Sequence, residues 1–165
     1  MKKPLRDRSR STFNLRNRQR TRAINLPRLR QILRELLNEL IPVQRFEIGF
    51  CLVDAEEITR INETFLRHAG PTDVITFDYS SQTEPDSLHG EIFICVSEAV
   101  AQARRFRTTW QAELVRYAVH GVLHLLGHDD QKSPARRKMK REEDRLVEKL
   151  TSRLPGAGQK KQRRK

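Results

Sequence analysis

The sequence predicts an α+β (mixed α/β) domain, a small mixed β-sheet packed with helices around one buried helix. Two observations set that class. Apolar residues recur at helical spacing in some segments and alternate or run together in others. One helical segment, from about Thr109 to Leu126, is apolar on most faces and is therefore central.

The elements follow in chain order. From Pro27 to Leu40, apolar residues fall at 29, 32, 33, 36, 37 and 40, the stripe of an amphipathic helix, with Pro27 in its first turn and Pro42 beyond its end. Phe46–Val53 alternates and then turns apolar, which predicts a strand. Asp54 is placed to cap a helix through Phe65. Gly70-Pro71 marks a turn, Thr72–Tyr79 is β-rich, and a polar loop (80–87) leads to a strand over Gly90–Val96. Ser97 is read as the cap of a helix through Phe106. The central helix then runs to Leu126, where Gly127 ends it, and a charged helix spans about Ser133–Leu150. The predicted order is α-β-α-β-β-α-α-α, with no internal repeat.

Charge divides the chain into parts. Residues 1–22 hold nine Lys/Arg and one acid, and residues 153–165 hold six and none, so the whole basic surplus behind the net +12 lies at the ends. The expected organisation is a basic disordered tail (1–22), a single domain (23–152) and a second basic disordered tail (153–165). Such tails suit RNA, through phosphate contacts and counterion release. Solubilisation and organellar targeting are the other readings of the same charge. No apolar run approaches the roughly 18 residues of a spanning helix. Two cysteines, Cys51 and Cys95, cannot staple a secreted scaffold. The expected compartment is the cytoplasm.

The chemistry concentrates in His120-Gly-Val-Leu-His-Leu-Leu-Gly-His-Asp-Asp130. His120 and His124, four apart on a helix, point the same way and can reach one divalent ion. Gly127 lets the chain reverse, and Asp130 can swing back as third ligand, with His128 as its competitor. A pair of hydrogen-bonded core histidines is the plainer reading, but two in an apolar helix are costly without partners.

This segment resembles the signature H-G-x-L-H-L-x-G-[YH]-D-H of the YbeY-type endoribonucleases, bacterial rRNA maturation factors, at ten of eleven positions. Ile61-Asn62 through Phe65-Leu66-Arg67, Pro71-Thr72-Asp73-Val74-Ile75-Thr76-Phe77 and Gly90-Glu91-Ile92-Phe93-Ile94 are similar to further motifs of that family, so the resemblance spans about 46–150. It implies a metal-dependent, single-strand endoribonuclease acting on the 3′ end region of small-subunit rRNA and in ribosome quality control. Ribosomal proteins and an Era-type GTPase are the implied contacts. It also implies catalytic roles for His120, His124 and Arg67, the Arg facing the metal cleft to contact the scissile phosphate.

At the third ligand position the family usually has His, and this chain has Asp130. Two His plus a carboxylate still suit Zn2+, while the oxygen ligand admits Mn2+ or Fe2+. Asp73 is expected to hold Arg67 or the local turn, and Asn62 to brace structure. Cys51, Cys95 and Trp110 are read as packing residues, and His68 and His89 as surface residues.

Two rival functions use the same residues. A metzincin-like metalloprotease would need Glu after the first His, where Gly121 stands. A non-catalytic, metal-stabilised ribosome-assembly protein would need only the metal and the tails.

Overall fold

The computed structural model describes residues 10–154. Its elements are β1 (Thr12–Asn17), α1 (Leu26–Glu35), β2 (Arg45–Val53), α2 (Ala55–Ile61), β3 (Val74–Asp78), β4 (Ser87–Cys95), α3 (Val96–Phe106), α4 (Trp110–Leu125) and α5 (Ser133–Thr151). The four strands form one mixed sheet in the order β1-β2-β4-β3. β1, β2 and β4 are parallel, and β3 runs antiparallel to β4 at the edge. The predicted α+β class and the central position of the apolar helix are both found.

β2 shows why the sheet is built this way. Phe46, Ile48 and every residue from Phe50 to Val53 are buried, as expected of a strand covered on both faces. On one face Ile48, Phe50, Ile92 and Ile94 join α1 and α4 in the main core. On the other, Cys51, Val53, Ile75 and Cys95 pack around Ile58 of α2. Both cysteines are buried and free.

α4 lies on the main-core face and comes unusually close to β4. A Cβ added at Gly121 would sit 2.7 Å from Cγ2 of Ile92, a fully buried, β-branched side chain with little room to yield. Gly in a helix interior costs about 1 kcal/mol relative to Ala; here the close approach requires it.

The N-terminal expectation needs correction. Residues 12–17, read from sequence as part of a disordered tail, form β1, whose Thr12 to Asn17 pair with Glu47 to Leu52. The strand is anchored by buried Leu15 and by Phe13, whose ring meets Phe50 edge-on at 6.3 Å. An edge strand needs only one buried side, so two alternating apolar residues suffice and the surrounding arginines mask them. Arg16 and Arg18 are paired outside, with Glu91 at 2.9 Å and Glu57 at 2.6 Å. Residues 18–22 are also ordered, with Gln19 buried, while residues 1–9 and 155–165 of the expected tails lie outside the described residues.

Boundaries shift elsewhere. The helix expected over 27–40 ends at Glu35 and continues as a wider π-type turn, Leu36–Leu40. α2 likewise passes into a π-type turn, Asn62–Leu66. α3 begins at Val96, with Cys95 rather than Ser97 at the cap position. Among the described residues no helix is long and apolar enough to cross a membrane.

Deleting residues 1–22 is therefore expected to strip the sheet of β1 and lower the urea denaturation midpoint. The loss of the Leu15 and Phe13 contacts is expected to cost about 3 kcal/mol. An unchanged midpoint would show that β1 does not hold that edge.

Candidate metal centre

The site is built at the C-terminal end of α4. Thr109 caps the start of the helix, its hydroxyl accepting the Ala112 N–H at 3.2 Å. At the other end the His128 N–H donates to the Leu123 carbonyl (3.0 Å) and the Gly127 N–H to that of His124 (2.9 Å). Those two bonds make a Schellman cap around Gly127, whose φ of +90° favours glycine. The reversal brings Asp130 back beside the helix.

Three side chains converge there. His120 Nε2 and His124 Nε2 are 3.0 Å apart, and Asp130 Oδ2 lies 3.6 Å from the first and 3.5 Å from the second. Points with these separations lie on a circle of radius about 2.0 Å, the Zn–N distance, so one ion can reach all three donors. Among the described residues these three form a cluster of metal-ligand type, and His128 is not part of it.

The other ring nitrogens are engaged. His124 Nδ1 is 3.1 Å from the His128 carbonyl, which can only accept, so Nδ1 carries the proton. His120 Nδ1 is 2.8 Å from Oε2 of Glu143 on α5. Burial alone would raise the Glu143 carboxyl. The hydrogen bonds from His120 and Arg116, with the charge of Lys140, overcome it and hold the group at about 2. Glu143 is thus an ionised acceptor and His120 Nδ1 a donor, leaving both Nε2 atoms to face one another. Two lone pairs at 3.0 Å repel unless a proton or metal ion sits between them. Burial opposes charging of His120, yet Glu143, with the fields of Asp73 and Asp130, raises its pKa above the ordinary value.

Glu143 was invisible to the motif reading, although a signal existed. Met139, Leu146, Val147 and Leu150 form the buried stripe of α5, and Glu143 occupies a position on that stripe. Arg116, one turn before His120, clamps it at 2.8 Å and also holds Asp144 at 2.7 Å.

Arg67 is exposed and ends the α2 segment in the left-handed conformation, φ 55°. Among the described residues its side chain makes no ion pair or hydrogen bond with the three converging groups. Asn62 is buried and braces this loop, donating from Nδ2 to the Gly70 carbonyl at 3.0 Å. Asp73 takes the local-turn role, accepting from the Val74 N–H at 2.8 Å and the Thr72 hydroxyl at 3.2 Å. Gly121 packs on Ile92, so a protease-type Glu would not fit there without lifting the helix.

Replacing Glu143 by Ala is expected to weaken Zn2+ binding about 10–100-fold in competition with a chelator, since His120 loses its orienting acceptor. Unchanged affinity would show that the rotamer of His120 is held by packing alone. In the metal-free protein the depressed Glu143 carboxyl stabilises the fold at pH above its ordinary 4.5, and that contribution is expected to disappear as pH falls towards about 2. Acid titration of the Glu143→Gln variant, monitored by circular dichroism, should lack that component.

The chain is similar to known proteins over most of its length. A family model described as "Endoribonuclease YbeY" matches residues 14–151. The Endoribonuclease YbeY of Chlorobium luteolum is 42% identical over 91 residues, 55% of this chain and 64% of that protein. That of Endomicrobium trichonymphae is 32% identical over 112 residues, 68% of this chain and 77% of the relative. The alignment with the Chlorobium protein thus spans slightly less than two thirds of that relative's length. A solution structure from Thermotoga maritima superposes with a TM-score of 0.61 at 25% identity, covering 92% of this chain and all of that one. Fold, motif order and the matched span together make this chain a member of the YbeY endoribonuclease family.

Proposed function

We propose that the chain is a metal-dependent endoribonuclease that cuts single-stranded RNA in maturation of the small-subunit rRNA 3′ end. The same activity would serve ribosome quality control. The observation that carries this reading is the Nε2–Nε2–Oδ2 triangle at the end of α4, within a chain of this family. In this reading His120, His124 and Asp130 hold one divalent ion, Zn2+ first and Mn2+ or Fe2+ as alternatives admitted by the carboxylate. A bound ion of this kind supplies Lewis acidity towards a phosphodiester and towards water.

The chain's own residues do the remaining work. Glu143 Oε2 keeps the proton on His120 Nδ1, so that Nε2 stays a donor of electrons. The His128 carbonyl does the same for His124. Arg67, always charged and exposed beside the loop braced by Asn62, is the group that would pair with the scissile phosphate and its developing negative charge. The basic termini recruit the polyanion in the same way at lower specificity. Ribosomal proteins and an Era-type GTPase are the proposed protein contacts, and the cytoplasm the proposed compartment.

The test separates the roles. With a single-stranded rRNA fragment and titrated Zn2+, Asp130→Ala is expected to lose metal binding and cleavage together. Arg67→Ala is expected to keep metal affinity while kcat falls about 100-fold. His124→Ala is the control, because cleavage equal to the parent would trace the activity to a contaminating nuclease and overturn the reading.

A further inference from the structure

Among the described residues four large apolar side chains are well exposed, Phe65, Leu66, Tyr79 and Phe106. Two of them, Phe65 and Tyr79, gather with half-buried Phe77 at one edge of the sheet. Scattered exposed apolar residues need no explanation, but a contiguous row does. Phe65 (66% exposed) meets Phe77 edge-on at 5.7 Å. Phe77 and Tyr79 (50% exposed) lie nearly parallel, 6° apart in plane and 6.4 Å between centres. Tyr79 then meets His89 at 5.5 Å.

The row is rigidly seated. Phe77 rests on Phe93 at 5.9 Å and on the second core beneath. The Tyr79 hydroxyl donates to Glu91 Oε2 at 3.1 Å, and Arg16 neutralises that carboxylate at 2.9 Å. The loop that presents Phe65 is closed by the Asn62–Gly70 bond and by the His68 N–H on the Asn62 carbonyl. Arg67 lies two residues beyond Phe65, and Arg10 and Arg45 line a cleft of about 280 Å³ together with Tyr79 and His89, which Glu47 and Glu84 also border.

We infer that this row is a stacking platform for the unpaired bases of single-stranded RNA, with Arg67, Arg10 and Arg45 taking phosphates. The inference rests on the ribonuclease reading and adds to it the surface that holds the strand. Aromatic faces accept any base, and they can take the unstacked bases of a single strand, which a duplex keeps paired and stacked inside its helix. The placement fits as well. Leu125, next to His124, packs on the opposite face of the β3–β4 pair at Gly90, beside the Phe77 carbonyl. Platform and metal centre therefore lie on two sides of the edge strand β3, and a strand crossing that edge would reach both.

The probe is a fluorescent, unstructured oligoribonucleotide, bound by the full chain in chelator so that no cleavage intervenes. Phe65→Ala/Tyr79→Ala is expected to weaken its affinity about ten-fold or more, with the chain still folded and Zn2+ affinity and salt dependence unchanged. Phe65→Leu/Tyr79→Leu should fail in the same way, whereas Phe65→Trp/Tyr79→Trp should bind at least as well as the parent. Arg45→Ala should instead flatten the log–log salt slope by about 0.7. Duplex RNA of equal length should not distinguish parent from double variant.

Full affinity in the Ala or Leu variants would overturn the platform, as a surface serving a protein partner would give. Equal losses on duplex and single strand would also overturn it. If those variants bind normally and the parent still cleaves, only the platform falls. If the parent neither binds nor cleaves RNA, the ribonuclease reading falls and the platform with it.

Discussion

The site depends on one constraint, the wedging of α4 between the sheet and α5. On the sheet side Gly121 removes the side chain that would hold the helix away from Ile92. On the other side the buried Glu143 carboxylate reaches from α5 to His120 Nδ1 at 2.8 Å. Between these contacts the end of α4 is set in depth and rotation, and helical spacing then aligns two imidazoles. The triangle of candidate donor atoms follows from packing on both flanks, not from the motif alone.

Glu143 also shows how a buried charge can be retained. An isolated ionised carboxylate there would be costly, but His120, Arg116 and Lys140 all donate to it. Arg116 in turn ties α4 to α5 through Asp144. One network thus joins the packing of the last helix to the orientation of a candidate ligand, and damage at Arg116 should reach the metal centre through Glu143.

Local features of the site were legible in the sequence, and long-range ones were not. The i, i+4 histidines and the Gly127 reversal depend on helix period and a single φ angle, both carried by neighbouring residues. Asp130 follows because the Schellman cap sends the chain back along the helix. The Glu143 pairing joins residues 23 apart, in a helix where acids and bases alternate and composition hides the one acid that faces inward. β1 was missed for a related reason, since Phe13 and Leu15 are outnumbered by polar neighbours and find their partners 35 residues later, on β2. Arg67 came from the family resemblance, and its exposed, left-handed position gives it reach without itself assigning a contact.

The most direct test of the central claim is X-ray absorption spectroscopy of the chain loaded with one equivalent of Zn2+. The account predicts two imidazole nitrogens and a carboxylate oxygen among the protein ligands, with the carboxylate signal lost in Asp130→Ala. A spectrum with three imidazoles, unchanged in Asp130→Ala and reduced in His128→Ala, would contradict it and move the third ligand to His128.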